Sequence, residues 1–346
     1  MILHLCVLDK FIAPFYEFVE ANFEDCHTRH VFYIAGKSPI YRTPQGKNIY
    51  LDHEQNLNHR YAWLIRNMNR ADKIILHGLW DYRVLQLLAA QPWLLKKCFW
   101  VIGGGDLYTY HLDERTFSWW KREVYRRFVI RRIGHFVTLI KGEYDLTKQW
   151  YGASGHHHEC FTYPSNLFRD EKNPSTSGSG VNVLLGNSAN PSNNQEEVLQ
   201  ALQRFMHIPI KVYCPLSYGS AEYAKKIEQK GKELLGDKFV PLLSFMKQEE
   251  YMNFLSNIDI AIFAHKRQQA MGNTITLLGM GKKVYMRSDV TQWEFLNNIG
   301  VQVHDLRELN IEKLEPEIAR ANSRIISEYF SEKNLVRQLG SVFATK

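Results

Sequence analysis

Short apolar stretches alternate with amphipathic ones along the chain, and this alternation constrains the fold more than any other feature. Strand-like stretches are ILHLCVL, VFYIAG, KIILHG, CFWVIGGG and HFVTLI in the first half, then VNVLLG, IKVYCP, IDIAIF, KKVYM and VQV. Helical spacing occurs between them, in segments such as 80–92, 117–132, 193–206, 220–235, 247–256 and 323–340. Because strands separated by helices form parallel sheets covered on both faces, the sequence predicts an α/β fold with doubly wound sheets.

The middle of the chain indicates a division into two domains. With 346 residues, the chain is long enough for two separate cores. The stretch KNPSTSGSG is too polar and flexible to pack, and we predict a linker at 171–180. We expect one Rossmann-like domain at 1–170 and a second at 181–322, facing each other across a central cleft. A last helix within 323–346 is expected to pack back on the first domain.

The composition limits the classes of partner. A net charge of +7 implies an anionic partner, and nucleic acid, an anionic membrane surface and a phosphorylated small molecule all fit. The five cysteines are scattered without CxxC spacing, so they indicate neither a zinc site nor a disulfide framework. No apolar run approaches the roughly 20 residues that cross a bilayer. The start, MILHLCVLDKF, is typical of a core strand rather than a signal peptide, and a reducing cytoplasm is the simplest compartment.

The loop after the strand-like stretch 181–185 is a candidate phosphate site. Gly186 would let a diphosphate approach closely, while Asn187 and Ser188 would donate hydrogen bonds to it. Asn193 then leads into a helix, and helix N-termini at strand ends bind anions in doubly wound domains. The alternative is an ordinary helix cap, for which asparagine and serine are also preferred.

A second candidate phosphate site follows the strand-like stretch IDIAIF. A helix that begins near Gly272, Asn273 and Thr274 would present its N-terminus to a ligand. Arg267 precedes it and would supply a fixed cation for phosphate oxygens. An ordinary helix start beside a solvated arginine is the alternative.

Two residues at strand ends in the first half are candidates for a catalytic base. Asp106 follows the three glycines of VIGGGDLYTY, which permit a close backbone approach. His77 ends the stretch KIILHG. A substrate hydroxyl that acts as a nucleophile needs a base for its proton. Asp106 is the first choice for this base and His77 the second. The alternatives are that Asp106 caps a turn and that His77 is a core histidine whose hydrogen bonds are satisfied.

The segment RTFSWWKREVYRRFVIRRIGHF combines cations with aromatic residues. Basic amphipathic helices with tryptophan suit an anionic bilayer surface, where the rings lie at headgroup level. The residues predicted to face a membrane or acceptor are Trp119, Trp120, Lys121, Arg122, Arg126 and Arg127. A solvated helix with tryptophan in the core is the alternative. Nucleic acid is not predicted as a partner, because no recognisable binding motif accompanies the charge.

No metal site is predicted. The adjacent residues His156, His157 and His158 cannot all face one ion, and a surface loop is expected there. Asp9, Asp52, Asp72 and Asp113 each lack a second aspartate two positions away.

The residues of these candidate sites resemble a known family. The chain is similar to the bacterial transferases of glycosyltransferase family 56, which add 4-acetamido-4,6-dideoxy-D-galactose from a dTDP donor to a lipid-linked disaccharide of enterobacterial common antigen. The resemblance covers most of residues 70–300. The segments that carry it are His77-Gly78, Gly105-Asp106-Leu107-Tyr108, Gly186-Asn187-Ser188, Ser192-Asn193, Pro215 with Tyr218, and Arg267-Gln268-Gln269 with Gly272 and Thr274.

The resemblance implies a two-domain GT-B-like enzyme, peripheral on the cytoplasmic face of the bacterial inner membrane. The second domain would hold the dTDP-sugar and the first would receive an undecaprenyl-diphosphate-linked oligosaccharide, without a metal cofactor. Gln268 and Thr276 stand where many retaining glycosyltransferases carry two glutamates, so amide and hydroxyl groups would replace that acidic pair. The predicted donor-binding residues are Gly186, Asn187, Ser188, Asn193, Tyr218, Arg267, Gln268, Gln269, Gly272, Asn273 and Thr274.

Two rival functions remain open at this point. A nucleotide-sugar epimerase of the same fold would need no lipid acceptor. A non-enzymatic module that binds anionic lipid or nucleic acid would use the segment 115–132 and have no affinity for nucleotide sugars.

Overall fold

The computed structural model describes residues 1–169 and 180–345, so the predicted linker at 171–180 lies outside the described residues except for Gly180. The chain divides into two compact units. The first unit comprises Met1–Asn166 and Glu332–Lys346, and the second comprises Leu167–Ser331.

The first unit is built on a parallel sheet of seven strands. The strands are β1 (Ile2–Val7), β2 (His30–Ala35), β3 (Ile49–Leu51), β4 (Lys73–His77), β5 (Cys98–Val101), β6 (His135–Val137) and β7 (His156–His158). Its helices are α1 (Ile12–Asn22), α2 (Cys26–Arg29), α3 (Leu57–Arg70), α4 (Tyr82–Ala90), α5 (Gly105–Leu112), α6 (Phe117–Ile130) and α7 (Lys141–Tyr151). The strand order is β3-β2-β1-β4-β5-β6-β7, so the direction of winding reverses between β1 and β4.

The second unit is built on a parallel sheet of six strands. The strands are β8 (Val181–Leu185), β9 (Ile210–Pro215), β10 (Phe239–Leu242), β11 (Ile260–Phe263), β12 (Lys283–Met286) and β13 (His304–Asp305). Its helices are α8 (Gln195–Leu202), α9 (Ala221–Leu235), α10 (Gln248–Ser256), α11 (Met271–Gly279), α12 (Thr291–Asn298) and α13 (Pro316–Tyr329). The order β10-β9-β8-β11-β12-β13 reverses between β8 and β11.

The prediction of doubly wound α/β sheets is confirmed by both strand orders. In the second unit, the central strands β8 and β11 are largely apolar because crossover helices cover both faces of the sheet, and Leu184, Ile260 and Ala261 are fully buried. Ligands bind open α/β sheets outside the carboxyl ends of the strands, near the point where the winding reverses. In this chain those points lie after β1 and β4 in the first unit and after β8 and β11 in the second.

The end of the chain forms one more helix, α14 (Glu332–Ala344), which belongs to the first unit. The buried Lys73, at the start of β4, donates hydrogen bonds to the carbonyl oxygens of Val342 and of Phe343, the latter at 3.0 Å. A cation at this position matches the negative end of the helix dipole. The side chain of Gln338 accepts a hydrogen bond from the backbone of Phe161 at 3.1 Å.

Two predictions of local structure are wrong. Residues 156–158 form the edge strand β7 rather than a surface loop, because they pair in parallel with β6. His157 bonds to the carbonyl of Thr138 at 3.0 Å, and His158 to His135 at 2.9 Å. The stretch VQV is not a strand, since β13 begins only at His304.

Three buried histidines form a continuous hydrogen-bonded row across the first sheet. His4 Nε2 lies 2.9 Å from His30 Nδ1, and His4 Nδ1 lies 3.0 Å from His77 Nε2. His77 Nδ1 lies 3.0 Å from the hydroxyl of Tyr163. Burial lowers the pKa of His30 to about 4 and that of His77 to about 3, and it holds the pKa of His4 well below its ordinary value. The row is therefore neutral at physiological pH.

We expect this row to make the fold sensitive to acid. The folded pKa values lie below the unfolded value of 6.5, so the unfolded chain takes up more protons as pH falls from 6.5 towards about 4. The free energy of unfolding then falls through that window, by on the order of 3 kcal/mol for a pKa lowered as far as that of His30. Urea unfolding at a series of pH values measures it. His30→Asn should flatten the slope and the exposed His207→Ala should not; a slope equal in both variants would contradict this account.

Candidate active site

The loop after β8 is shaped by buried side chains of its own. Gly186 has a φ of +70°, and a Cβ there would lie 2.8 Å from Asn193 Oδ1. Asn193 Oδ1 accepts a hydrogen bond from the backbone of Asn187 at 2.9 Å and lies 3.0 Å from His265 Nε2. Asn193 Nδ2 donates to Ser188 Oγ at 3.1 Å. Glycine is required here because the Asn193 side chain occupies the space beside it.

The predicted direct contacts of Ser188 and Asn193 with a donor are therefore corrected. Both side chains are buried and bond to each other. Their hydrogen-bonding groups hold the loop in place, so they would support a ligand site through the backbone rather than touch the ligand.

Polar side chains from three loops meet at the carboxyl edge of the second sheet. Asn187, after β8, donates from Nδ2 to the hydroxyl of Tyr218, after β9, at 2.9 Å. Gln269, after β11, donates from Nε2 to Asn187 Oδ1 at 3.0 Å. Ser192 donates from Oγ to Gln269 Oε1 at 2.6 Å. Three of the four side chains are partly buried and Tyr218 is half-exposed, so this cluster, named here the edge cluster, borders solvent.

The N-terminus of α11 lies beside this cluster in sequence. Ala270 adopts a left-handed conformation with φ +57° and turns the chain into the helix. Gly272 and Asn273 are partly exposed in the first turn, where backbone N–H groups lack intrahelical acceptors. Arg267, partly buried, donates from Nη1 to the carbonyl of Gln268 at 2.9 Å. A cation and a helix N-terminus at one strand end provide the donors that an anion needs.

Thr274 is a second correction among the predicted donor-binding residues. It is fully buried, donates from Oγ1 to the carbonyl of Ala270 at 3.1 Å and accepts from Gln292 Nε2 at 3.1 Å. Its hydroxyl is used to fix the start of α11. Asn273 donates to the hydroxyl of Tyr251 at 2.9 Å.

Two features of the second unit are a buried histidine and a groove at the carboxyl edge of the sheet, and neither was predicted. Burial, and next the charge of Arg267, lower the pKa of His265 to about 3, so this histidine beside Asn193 is neutral. A groove of about 360 Å³ lies at the carboxyl ends of β12 and β13. Its arginines are paired with aspartates, Arg287 with Asp289 at 2.6 Å and Arg307 with Asp305 at 2.5 Å. No motif in the sequence indicated either feature.

Asp106 in the first unit is fully buried, and its carboxylate is saturated. Oδ2 accepts from Trp100 Nε1 at 2.7 Å and from the backbone of Leu79 at 3.1 Å. Oδ1 accepts from the backbones of Gly103 at 3.0 Å and Leu107 at 3.1 Å. Burial raises the pKa of Asp106, and these hydrogen bonds oppose the shift.

The prediction that Asp106 is the base is corrected by this geometry. A carboxylate offers about four lone-pair sites, and four donors already occupy them. The carboxylate instead joins the loop after β4 to the loop after β5. His77, the second choice, is also buried, and both of its ring nitrogens bond to protein groups. Neither side chain presents an atom to an acceptor hydroxyl in this conformation.

Helix α6 divides the predicted membrane residues into two groups. Trp119 and Arg126 are buried, and Trp119 Nε1 donates to the carbonyl of Thr109 at 3.0 Å. Arg126 lies 3.5 Å from the buried Glu123 and donates to the carbonyl of Asp106 at 2.7 Å. These two residues are part of the core, which corrects their predicted membrane role.

The outer face of α6 is apolar and rimmed by cations. Phe117, Trp120 and Val124 are 85%, 54% and 67% exposed, and their spacing places them on one side of the helix. These three residues are named here the α6 apolar face. Lys121 and Arg127 are exposed beside it. Arg127 pairs with the buried Glu123 at 3.3 Å, and Arg122 pairs with Asp113 at 2.8 Å. Phe117 and Val124 were not predicted, although their three- and four-residue spacing from Trp120 was a usable signal.

The family is decided by a match over most of the chain. A family model described as 4-alpha-L-fucosyltransferase, glycosyl transferase group 56, matches residues 13–332. The chain belongs to this family. This group 56 protein is therefore a glycosyltransferase, and the resemblance inferred from the sequence is confirmed.

Solved structures of other proteins share the fold at low sequence identity. HepE from Anabaena, in complex with UDP and glucose, gives a TM-score of 0.68 at 11% identity and covers 99% of each chain. WaaG, a glycosyltransferase involved in lipopolysaccharide biosynthesis, gives 0.65 at 10% identity, covering 99% of this chain and 100% of that chain. Sucrose-phosphate synthase from Thermosynechococcus elongatus gives 0.65 at 11% identity, covering 99% and 98%. These likenesses confirm the GT-B fold of the group 56 chain.

Among residues 1–169 and 180–345, no cluster of three or more histidine, cysteine or acidic side chains has an arrangement that would hold a metal ion. Within the same described residues, no helix combines the length and apolarity needed to cross a membrane.

Proposed function

We propose that the chain transfers 4-acetamido-4,6-dideoxygalactose from its dTDP donor to an undecaprenyl-diphosphate-linked oligosaccharide in bacterial surface polysaccharide synthesis. The observation that supports a nucleotide-sugar site in the second unit is the convergence of the edge cluster after β8, β9 and β11, at the edge where the strand order reverses. The choice of this deoxyamino sugar rests on the family resemblance of the site residues.

Both backbone N–H groups and side chains would bind the donor in the proposed site. Arg267 and the first-turn N–H groups of Gly272 and Asn273 would hold the diphosphate. Asn187, Gln268 and Gln269 would bond to sugar or pyrophosphate oxygens, and Tyr218 would stack on the thymine base. The leaving diphosphate gains negative charge as the glycosidic bond breaks, and a fixed cation with oriented dipoles stabilises that charge. We propose that this arrangement makes a metal cofactor unnecessary.

The donor assignment is tested by calorimetric titration with dTDP, UDP and GDP and with their sugar derivatives. Preference for dTDP-linked sugars supports the proposal, and equal or better binding of UDP- or GDP-sugars contradicts the choice of donor. An epimerase is separated from a transferase by following dTDP release with and without a lipid-linked oligosaccharide. Release that does not depend on the acceptor favours the epimerase.

We also propose that the protein is peripheral on the cytoplasmic face of the inner membrane, with the α6 apolar face against the lipid. Exposed aromatic and aliphatic side chains flanked by lysine and arginine match the interface of an anionic bilayer. This face would bring the first unit to its lipid-linked acceptor.

Replacing Phe117 and Trp120 with serine should weaken binding to phosphatidylglycerol vesicles at least about tenfold, since the apolar area of two large side chains is lost. Vesicle sedimentation at two salt concentrations measures it, and the wild-type binding should fall with salt. The matched control replaces Leu57 and Ile65, two exposed apolar residues of α3, with serine. Equal binding by both double variants would refute the assignment, and salt-sensitive binding to DNA instead of vesicles would favour the nucleic-acid module.

A further inference from the structure

Trp80 occupies a distinctive position at the carboxyl edge of the first sheet. It follows β4, next to the point where the winding reverses, and its side chain is 48% exposed. A Cβ on Gly78 would lie 2.6 Å from the Cδ1 and Nε1 atoms of the indole. A Cβ on Gly105 would lie 3.4 Å from its Cη2 atom. The ring therefore rests directly on the backbone of two glycines, one from each of two neighbouring loops.

The backbone beneath the indole is held firmly. Gly78, with φ +78°, donates from its N–H to the carbonyl of Val101 at 3.1 Å. Leu79, which precedes Trp80, donates from its N–H to Asp106 Oδ2 at 3.1 Å. Gly103 donates to the other oxygen of the same carboxylate at 3.0 Å. The buried Asp106 thus fixes both loops on which the indole rests.

Charged side chains adjoin Trp80 in the sequence. Asp81 caps α4 by accepting a hydrogen bond from the backbone of Arg83 at 2.9 Å. Arg83 bridges Asp81 at 2.7 Å and the buried Asp52 at 2.9 Å. Asp81 and Arg83 are both partly exposed. Small-molecule sites usually combine an apolar surface with a few fixed polar groups, and the residues that follow Trp80 in the sequence supply such groups.

We propose that Trp80 is a stacking platform for a pyranose ring of the acceptor oligosaccharide, an inference that rests on the proposed function. One face of a pyranose carries C–H groups, which would pack against the negative face of the indole. The fixed backbone means that the ring is already placed before a sugar arrives, which lowers the entropic cost of binding. Asp106 acts in this arrangement as a positioning residue.

Trp93 provides a matched control within the same unit. It is 63% exposed, more than Trp80, but it lies in the turn before β5 at the opposite edge of the sheet. Its Nε1 donates to Asn69 Oδ1 at 3.0 Å. Removing either indole takes away an exposed ring, and only Trp80 lies where ligands of open α/β sheets bind.

A binding experiment tests the platform without requiring transfer. Methyl β-D-mannopyranoside and methyl N-acetyl-β-D-glucosaminide are probed by saturation-transfer NMR on the full chain. We expect transfer to the ring C–H protons of at least one probe in the wild type and in Trp93→Ala, and about tenfold weaker binding in Trp80→Ala. Trp80→Phe should retain part of the binding, which distinguishes a lost stacking surface from a disturbed fold. The absence of saturation transfer in the wild type, or equal saturation transfer in Trp80→Ala, would overturn the proposal.

A kinetic experiment distinguishes the failure of this inference from that of the proposed function. With lipid-linked oligosaccharide, Trp80→Ala should raise the acceptor KM about tenfold while kcat and the donor Kd change less than about threefold. A purely structural defect would instead lower kcat or weaken donor binding as well. If the acceptor KM of Trp80→Ala equals that of the wild type, the inference alone is overturned. If the wild type binds the sugar probes in a Trp80-dependent way but transfers no sugar to the lipid-linked oligosaccharide, the proposed function alone is overturned.

Discussion

Replacing Arg267 with alanine should lower kcat/KM for the nucleotide sugar by about 100- to 1000-fold, the loss typical of removing one fixed donor from a developing negative charge. Arg267 follows β11 and precedes the N-terminus of α11, and its guanidinium bonds to the carbonyl of Gln268 at 2.9 Å. That bond and partial burial restrict its motion, so little entropy is lost when a diphosphate binds. The expected loss is therefore larger than for a solvated surface arginine.

Lysine at the same position should recover only part of the activity. The charge is kept, but the planar pair of N–H donors that engages two phosphate oxygens is lost, and we expect Arg267→Lys to remain about tenfold below the wild type. Steady-state kinetics with varied donor, together with calorimetric donor binding, separate binding from turnover.

The control for Arg267 is Arg287, another arginine at a strand end of the same sheet. Arg287 follows β12 and pairs with Asp289 at 2.6 Å. Its replacement by alanine should change kcat/KM less than about twofold, because its guanidinium is already paired with a carboxylate of the same loop. If Arg267→Ala behaved like Arg287→Ala, the diphosphate site would have to be sought elsewhere in the second unit.

The fold and the meeting of the edge cluster were predictable for the same reason. Parallel strands end at one edge, so polar residues placed directly after apolar strands come together whatever the details of the loops. Asn187, Tyr218 and Gln269 follow three such strands, and their side chains are within hydrogen-bonding distance. The alternation of strand and helix patterns is therefore enough to predict that these side chains converge.

Which of the polar residues face solvent was not predictable. Asparagine, serine and threonine bond to a ligand or to their own backbone with the same groups, so Ser188, Asn193 and Thr274 fit both roles in the sequence. Packing of neighbouring segments decides between them: Gln292, 18 residues from Thr274, donates to its hydroxyl. A sequence pattern carries no signal for a contact of that kind.

Helix α6 shows the same difficulty for charge. Arg126 belongs to a run of cations that was predicted to face a membrane or acceptor, but it is buried beside Glu123. Burial of this cation is possible because it has two partners. Glu123, three residues earlier on the helix, forms an ion pair with the guanidinium, and the carbonyl of Asp106 accepts a hydrogen bond from it. The pairing depends on the loop after β5, which the helical pattern does not describe.

Replacing Asp106 with asparagine should reduce both stability and activity, although the carboxylate touches no reacting atom. The amide nitrogen would face two donors, either Trp100 Nε1 with Leu79 N or Gly103 N with Leu107 N, so two buried hydrogen bonds become donor–donor contacts. Each unsatisfied buried donor costs about 1–3 kcal/mol. Relief of the cost of burying a charge offsets part of this, and we expect the free energy of unfolding to fall by about 2–3 kcal/mol.

The pH dependence of the variant separates positioning from base catalysis. A base with a raised pKa would leave an acid limb in the wild-type pH–rate profile that disappears in Asp106→Asn. For a positioning residue, kcat/KM for the acceptor falls at every pH and the shape of the profile is retained, because the platform under Trp80 is displaced and no titrating group is removed. Asp113→Asn, at an exposed aspartate paired with Arg122, is the control and should leave stability and activity nearly unchanged. Loss of the acid limb with normal stability would restore Asp106 as the base and would require its carboxylate to leave all four of its present donors during turnover.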